Sequence, residues 1–153
     1  MVELLKQADI FKDCNVTLLK QISAFTSVES IVPGQVLLKE DDETDYDLFI
    51  VISGRVQIFV SSKFFADDKE ESKTIYTINP GDNFGEMSCI IKKRRSASAK
   101  AITEGEILRI DGDKLTTLFE NNNEAGYKIL KKLYASLYER IQNSNFMLWN
   151  YLI

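Results

Sequence analysis

The chain of 153 residues contains no histidine. Because histidine is the commonest metal ligand and the commonest general base, its absence argues against a metal centre and against most acid–base catalysis. The two cysteines, Cys14 and Cys89, are far apart in sequence and match no metal-binding or redox spacing. We therefore expect reduced thiols, a cytoplasmic location and no bound metal.

An excess of positive charge and a long apolar run are also lacking. The net charge of −4 provides no basic surface that would attract nucleic acid. No apolar segment approaches the roughly 20 residues of a membrane-spanning helix, and the N-terminus lacks a signal-peptide pattern. The sequence has neither a Walker loop nor a G-x-G-x-x-G motif, and no nucleophile is paired with a base. These absences favour a binding protein over an enzyme, without a catalytic cofactor, a nucleic-acid partner or a membrane span.

Short apolar segments that alternate with polar residues occupy the middle of the chain, from 28 to 110. Strands are predicted at 28–32, 35–39, 74–78, 97–101 and 106–110, with two more between Asp47 and Val60 and a polar hairpin loop at 61–73. Helical spacing occurs before this region, at 2–25, where Asn15 can cap the second helix. It also occurs after this region, at 114–150, where a long helix is predicted from Glu124 to about Asn145. One domain covering 1–153 is therefore predicted, mostly β with flanking helices, as an antiparallel barrel or jelly roll.

The segment from Phe84 to Ala99 contains the strongest candidate for a ligand site. After the turn Pro80-Gly81-Asp82-Asn83, Gly85 allows a close approach of backbone and Glu86 supplies a carboxylate. The guanidinium of Arg95, nine residues further on, suits an oxyanion such as phosphate. The residues between them are enough for about one helical turn, whose free N–H groups can face an anion. A hydroxyl acceptor and a phosphate partner together predict a sugar phosphate as the ligand.

Plainer interpretations exist for each part of this segment. Glu86 can be an ordinary carboxylate at the start of a helix, and the basic run at 92–95 can be a solvated loop or a nucleic-acid or nuclear-localisation patch. The small residues at 96–99 favour a ligand site, because they let a strand backbone approach a ligand. Cys89, which has no activating partner in the sequence, is expected to be a small packed residue.

The acidic segment from Asp41 to Asp47 suggests a calcium site, but it lacks the D-x-D-x-D-G order of a helix-loop-helix calcium loop. A solvated turn between strands is the preferred interpretation.

The run from Phe84-Gly85-Glu86 to Arg95-Ser96-Ala97-Ser98 resembles the phosphate-binding cassette of cyclic nucleotide-binding domains, as found in catabolite-activator proteins and kinase regulatory subunits. The resemblance extends over residues 10 to 141 and includes the glycine turns at Pro33-Gly34 and Ser53-Gly54. It implies an antiparallel β-roll, a double-stranded jelly roll, with N-terminal helices and a long C-terminal lid helix. It also implies that the protein is a sensor or regulatory module and not an enzyme.

The resemblance assigns a role to each cassette residue. Glu86 would accept the ribose 2′-hydroxyl of cAMP or cGMP, next to the Gly85 backbone, and Arg95 would pair with the exocyclic phosphate oxygens. Backbone amides near Ser88 and Ser96 would complete the phosphate contacts; these residues and the intervening Met87 make up the predicted ligand-binding set. Ligand in the cassette would favour a docked position of the helix that begins near 124.

Three features depart from the family pattern. Glu40-Asp41-Asp42 stands where a glycine is common, so Asp41 must tolerate a left-handed backbone. Lys93 and Arg94 precede Arg95 and could compete with it for phosphate. The sequence ends about 10 residues after Gln142, which is too short for a helix-turn-helix, so DNA binding within this chain is not expected.

The last eight residues, 146–153, include seven apolar ones. Such a segment is expected to be covered by its own domain, by a second copy in a homodimer or by an effector protein. Tyr127, Tyr134 and Tyr138 form a row typical of a core or an interface, and an aromatic residue from this row or the tail is a candidate to contact the base of the ligand. Two alternatives to a nucleotide sensor follow: an interaction or dimerisation module of the same fold, or a sensor of another phosphorylated ligand such as a cyclic dinucleotide.

Overall fold

The computed structural model describes residues 1–61 and 72–153, so most of the predicted polar loop at 61–73 lies outside the described residues. The chain begins with α1 at Val2–Leu5, a 3₁₀ turn at Asp9–Phe11, and α2 at Val16–Ser23. The backbone N–H of Leu18 donates a hydrogen bond to the side-chain oxygen of Asn15 at 2.8 Å. This bond confirms Asn15 as the predicted N-cap of the second helix.

Eight strands in the described part of the chain form two antiparallel sheets of four strands each. The strands are β1 Thr26–Ile31, β2 Val36–Leu38, β3 Leu48–Ser53, β4 Val56–Ser61, β5 Ser72–Ile78, β6 Asn83–Phe84, β7 Ser98–Ala101 and β8 Gly105–Ile110. Their order is β1-β8-β3-β6 in one sheet and β2-β7-β4-β5 in the other. This arrangement, with helices at both ends of the chain, confirms the predicted antiparallel β-roll.

The two strands predicted on either side of Pro33 and Gly34 both form, but they belong to different sheets. In β1, Thr26 pairs with Ile110 of β8, whereas in β2, Val36 pairs with Lys100 of β7. The segment between them therefore carries the chain from one sheet to the other. Gly34 accommodates this change of direction with a φ of +86°.

Strand β3 is buried on both faces and connects the two halves of the core. Leu48 and Ile50 pack with side chains of the helices, while Phe49 and Val51 pack between the two sheets. This division follows from the two-residue period of a strand, which points successive side chains to opposite faces. The acidic segment from Asp41 to Asp47 leads directly into this strand. Its position is therefore fixed by a strand that lies in the core.

Three further helices complete the described structure: α3 at Glu86–Ile91, α4 at Gly112–Asn121, and α5 at Asn123–Leu152. The first half of α5 packs on the helical side of the core through Ala125, Ile129 and Leu133. Beyond Leu133, no residue that the structure describes in α5 is buried. The second half of α5 therefore has no hydrophobic anchor of its own.

The apolar tail at 146–153 continues α5, which was predicted to end near 145. Its large side chains are exposed, Trp149 by 65% and Leu152 by 84%. Nζ of Lys73 lies 5.1 Å from the centroid of the Tyr151 ring. The tyrosine row at 127, 134 and 138 is also more than half exposed, so it does not belong to the core. An interface role for the row and the tail stays a prediction.

Candidate functional site

The candidate site begins where β6 ends and α3 starts. Gly85 lies between them with a φ of +79°, a conformation that favours glycine. A Cβ atom added to Gly85 would lie 2.9 Å from Nη1 of Arg95 and 3.0 Å from the carbonyl oxygen of Asp47. A glycine is therefore required at this position by both the backbone angle and the close approach of the arginine.

Arg95 is only 2% exposed, and its guanidinium is held by several acceptors. Nη1 donates to the carbonyl oxygens of Gly85 at 3.0 Å and Asp47 at 3.1 Å. Nη2 donates to the same Asp47 carbonyl at 3.1 Å and to the carboxylate of Asp45. Because these contacts fix both ends of the planar fork, the guanidinium has one defined orientation.

The acidic segment was predicted to be a solvated turn, and its first half is one, because Asp41, Glu43 and Thr44 are exposed. In its second half, Asp45 and Asp47 are partly buried, and the Asp45 carboxylate and the Asp47 backbone carbonyl accept hydrogen bonds from Arg95. The Asp47 carboxylate also accepts a hydrogen bond from Nε of Arg109 at 2.6 Å and one from the backbone N–H of Gly112 at 3.1 Å. The hydrogen bond to Asp47 raises the pKa of the Arg109 guanidinium. The spacing of the acidic residues does not predict their contact with Arg95, because one of the two acceptors is a backbone carbonyl, which any residue type supplies.

Glu86, the first residue of α3, is 4% exposed and has hydrogen bonds to both carboxylate oxygens. Asn83 donates from Nδ2 to Oε2 at 3.2 Å, and Arg140 of α5 donates from Nη1 to Oε1 at 3.0 Å. The pair with Arg140 neutralises a carboxylate that would otherwise be buried as an uncompensated charge.

Arg140 makes two further contacts at the site. Its Nη2 donates to the carbonyl oxygen of Asn83 at 2.6 Å, and its guanidinium lies over the ring of Tyr76 at 5.0 Å. Burial raises the pKa of the Tyr76 hydroxyl, so the ring is neutral at physiological pH. Arg140 and Tyr76 were not predicted as site residues, because each reaches the site from an element distant in the chain. Asn83 lies next to the predicted site residues but was interpreted only as part of a turn.

A small cavity of about 30 Å³ is lined by Tyr76, Glu86 and Arg95, but not by Asn83 or Arg140. All six predicted site residues line it: Gly85, Glu86, Met87, Ser88, Arg95 and Ser96. The cavity is far smaller than the roughly 300–1,000 Å³ of typical ligand pockets. A larger groove of about 740 Å³, between α2 and α5, contains none of the six residues, so its size does not indicate the chemistry of this site.

A sequence-family model for the cyclic nucleotide-binding domain matches residues 28–122, well over half of the chain. The chain belongs to the cyclic nucleotide-binding domain family. This family is a regulatory ligand-binding domain that is typically non-catalytic.

Curated proteins with similar sequences include regulators, a phosphodiesterase and ion channels. A CRP-like cAMP-activated global transcriptional regulator of Mycobacterium tuberculosis is 29% identical over 145 residues, which is 95% of this chain and 61% of the regulator. A cGMP-dependent 3′,5′-cGMP phosphodiesterase of Dictyostelium discoideum is 26% identical over 125 residues, 82% of this chain and 13% of that enzyme. The chain thus spans about three fifths or less of the length of these relatives.

Solved structures with the same fold include a putative cyclic nucleotide-binding protein from Geobacter metallireducens, with 27% identity, a TM-score of 0.76, and coverage of 91% of this chain and 96% of that one. A cyclic nucleotide-binding domain from Methylobacillus flagellatus has 23% identity and a TM-score of 0.78, covering 97% and 80%. The regulatory domain of Toxoplasma gondii protein kinase A, crystallised with cAMP, has 20% identity and a TM-score of 0.65, covering 76% and 42%. The last two likenesses concern the fold alone.

Two of the departures from the family pattern can be followed in the structure. Asp41 adopts the left-handed conformation that its position requires, with a φ of +65°. Of the basic run, Arg94 points outward to Asp41 at 3.5 Å and Lys92 pairs with Asp113 at 2.8 Å, while Arg95 alone lines the cavity. The basic neighbours therefore do not compete for the cavity in this arrangement.

Cys89 is fully buried in α3, which confirms the predicted packed residue. Burial raises the pKa of its thiol to about 12, so it is not a reactive thiolate at neutral pH. Within residues 1–61 and 72–153, no cluster of three potential ligands could hold a metal ion. No helix in the same ranges has the length and apolar character needed to cross a bilayer.

Proposed function

We propose that the chain is a regulatory module that binds cAMP or cGMP at the cassette formed by Gly85, Glu86, Met87, Ser88, Arg95 and Ser96. In this proposal Glu86 accepts the ribose 2′-hydroxyl, and Arg95 pairs with the exocyclic oxygens of the cyclic phosphate. The ligand would shift α5 between two positions, and the position of α5 would be the signal.

One observation carries the proposal: a buried carboxylate and a buried guanidinium line the same cavity in a chain of this family. Neither Glu86 nor Arg95 is placed there by the needs of a hydrophobic core, because burying a charge costs free energy unless a partner compensates it. A ligand with a hydroxyl at one end and a phosphate at the other matches both groups. Ser88 and Ser96 also line the cavity, and their hydroxyl and backbone groups can supply further polar contacts to a phosphate.

Arg95 already has a counter-charge, the carboxylate of Asp45. That carboxylate helps to hold the guanidinium in one orientation, which lowers the entropic cost of binding a phosphate. A guanidinium has five N–H donors, so Arg95 can bind a phosphate without giving up all of its present acceptors. The arrangement is therefore preorganised on the phosphate side of the cavity.

A second candidate function, an interaction module, is favoured by the exposed face of α5. Tyr127, Tyr134, Ile141 and Leu148 recur every seven residues and are each more than half exposed. This spacing is that of a coiled-coil seam, in which the same face of a second helix completes the contact. We propose a second copy of this chain as the partner of this surface, with an effector protein as the alternative.

Calorimetric titration tests the proposed ligand. The protein would be unfolded, stripped of bound nucleotide, refolded and titrated with cAMP, cGMP and a cyclic dinucleotide in turn. Glu86→Gln removes the charge of the carboxylate that is proposed to accept the ribose hydroxyl. Glu104→Gln makes the same change at an exposed position and is the matched control.

We expect micromolar or tighter binding of one cyclic mononucleotide, at least tenfold weaker in Glu86→Gln and unchanged in Glu104→Gln. If only the cyclic dinucleotide binds, the protein is a sensor of cyclic dinucleotides and not of cAMP or cGMP. No heat with any of the three would reject the sensor function and leave the interaction module.

A further inference from the structure

The hydroxyl of Ser96 lies at the end of the basic run and is open to solvent. Ser96 follows Lys92-Lys93-Arg94-Arg95 directly, lines the cavity and is exposed. Within the described residues its hydroxyl makes one hydrogen bond, of 3.8 Å, to Sδ of Met87, which is a weak acceptor. The hydroxyl is therefore accessible to an enzyme that would modify it, and little else holds it.

Ser98, the next serine in the chain, differs in both respects. It is 7% exposed, and its hydroxyl accepts a hydrogen bond from the backbone N–H of Glu40 at 2.9 Å. It also lies in β7, opposite Phe59 of β4, whereas Ser96 lies in the segment that joins α3 to β7 and belongs to no helix or strand. Connecting segments of this kind are the accessible parts of a fold. Of the two serines after the basic run, Ser96 is the one that an enzyme can reach.

Two of the four basic side chains are exposed beside this hydroxyl. Lys93 is exposed, and the side chain of Arg94 is 68% exposed, with its Nε 3.5 Å from a carboxylate oxygen of Asp41. Such a surface pair contributes little, so Arg94 can exchange it for another partner. Lys92 forms an ion pair with α4 at 2.8 Å, and Arg95 is buried. The accessible positive charges therefore lie two and three residues before the hydroxyl.

We propose that Ser96 is a phosphorylation site for a serine kinase that selects basic substrates. Kinases distinguish their substrates by the pattern of charge around the acceptor, and here two exposed positive charges precede an exposed hydroxyl. The backbone of Arg95 is held by hydrogen bonds of 2.9 Å to Asp41 and Asp42, so the kinase would read the two exposed side chains and not the buried one. This assignment does not depend on whether the cassette binds a nucleotide.

The reaction is a phosphoryl transfer from ATP. Oγ of Ser96 forms a bond to the γ-phosphorus as the bond between that phosphorus and the β,γ-bridging oxygen breaks. ADP leaves with the bridging oxygen, and the hydroxyl proton passes to the catalytic base of the kinase. The phosphoserine carries a charge of about −1.5 to −2 at neutral pH and three acceptor oxygens.

The added charge would oppose the proposed ligand. Ser96 and Arg95 line the same small cavity, so a phosphoserine and a ligand phosphate would compete for the same donors. Like charges at such close quarters repel each other. Phosphorylation would therefore prevent the cassette from binding its ligand, a consequence that rests on the proposed nucleotide function.

Phosphorylation of the refolded protein tests the site without any cyclic nucleotide. The full chain would be incubated with ATP and the catalytic subunit of protein kinase A, which selects basic substrates, and mass spectrometry would locate the phosphate. We expect one phosphate, on Ser96, and none in Ser96→Ala. Ser30→Ala removes an exposed hydroxyl that follows an acidic residue, and it should leave phosphorylation unchanged.

Arg94→Ala tests whether the kinase reads the basic run. It removes one of the two exposed charges and should slow phosphorylation at least tenfold. No phosphate, phosphate on a different residue, or an unchanged rate in Arg94→Ala would each overturn the proposal.

Calorimetry tests the consequence for binding. Phosphorylated protein should bind cAMP or cGMP at least tenfold more weakly than protein incubated with ATP and inactivated kinase. Undiminished affinity would overturn the inhibitory role of the phosphoserine. If Ser96 is phosphorylated but neither form binds a cyclic nucleotide, the proposed function fails and the modification site stands.

Discussion

Arg95 has a structural role as well as the proposed role in binding. Its guanidinium donates to the Asp45 carboxylate and to the carbonyls of Gly85 and Asp47, so it connects the acidic segment to the start of α3. Loss of this side chain would remove a donor from both carbonyls and from the Asp45 carboxylate. A binding defect in an Arg95 variant therefore has to be separated from a folding defect.

We predict that Arg95→Ala lowers the free energy of unfolding by about 3 kcal/mol, the cost of breaking a buried charge pair. Arg94→Ala is the control, because Arg94 is exposed and its partner Asp41 lies 3.5 Å away at the surface. It should change stability by less than about 0.5 kcal/mol. Urea unfolding followed by circular dichroism measures both. Equal stability of the two variants would mean that the contacts of Arg95 contribute nothing to the fold.

Gly85 allows the geometry of the site to be changed without removing a charge. We predict that Gly85→Ala abolishes nucleotide binding, since its Cβ would lie 2.9 Å from Nη1 of Arg95 and displace the guanidinium. Gly34→Ala is a matched control: its φ of +86° is equally unfavourable for alanine, but nothing lies within 4 Å of the added Cβ.

Both alanine variants should lose about 1–2 kcal/mol of stability from the left-handed backbone. In binding assays, only the variant at 85 should lose affinity. If Gly34→Ala lost affinity to the same extent, backbone strain and not contact with the arginine would explain the defect.

At the scale of elements, the entrance to α4 shows how charge supports the helices next to the site. The Asp111 carboxylate accepts hydrogen bonds from the backbone N–H groups of Lys114 at 3.0 Å and Asp113 at 3.1 Å. The first of these bonds is the main cause of the lowered pKa of Asp111. The side chain caps α4, which leads into α5.

We predict that Asp111→Ala costs about 1 kcal/mol at pH 7, the usual cost of removing an N-cap. Because the folded-state pKa is lower than the ordinary value of 3.8, wild-type protein has this contribution in full above that value. It loses the contribution as the pH falls through the lowered folded pKa. The stability difference between wild type and Asp111→Ala, from urea unfolding, should therefore shrink below about pH 3.8. A difference that is constant from pH 7 to pH 3 would contradict the assignment.

The elements that local sequence determines were the ones that could be predicted. The strands on either side of Ser53 and Gly54 follow from alternation, and the N-cap at Asn15 follows from residue type. The end of α5 was placed too early, near 145, because the apolar tail was judged by its composition. The tail contains no glycine or proline that would end a helix, so the helix continues to Leu152.

The residues of the site divide in the same way. Glu86 and Arg95 lie nine residues apart and could be found together by their spacing. Asp45 lies 50 residues before Arg95, and Arg140 lies 54 residues after Glu86. No local pattern connects such positions, since their meeting depends on how β3 and α5 pack against the roll. The partners of the site therefore became visible only in the folded structure.

At the scale of the whole molecule, α5 exposes a series of large apolar side chains along one face. Isolated apolar side chains on a surface are common, but a contiguous series on one helix is typical of an interface. If α5 pairs with its copy along the seven-residue repeat, self-association should depend on residues in the seam and less on those beside it.

We predict that the wild-type chain self-associates at micromolar concentrations and that Leu148→Glu weakens this association. Met147→Glu is the control, because Met147 is similarly exposed but lies outside the seven-residue repeat. Sedimentation equilibrium over a range of concentrations measures all three proteins. Monomeric wild-type protein at every concentration would rule out a second copy as the partner, whereas equal effects of the two variants would place the contact elsewhere on the tail.

We propose that a cyclic nucleotide binds the cassette and thereby moves α5. At 17.5 kDa, the chain is small enough for amide NMR, which observes both regions in one titration. On addition of cAMP or cGMP we predict shifts for the amides of Gly85, Ser88 and Ser96 and, with the same saturation curve, for amides of α5 beyond Leu133. Saturating nucleotide that leaves the cassette amides unshifted would contradict the binding site, and shifts confined to the cassette would contradict its coupling to the helix.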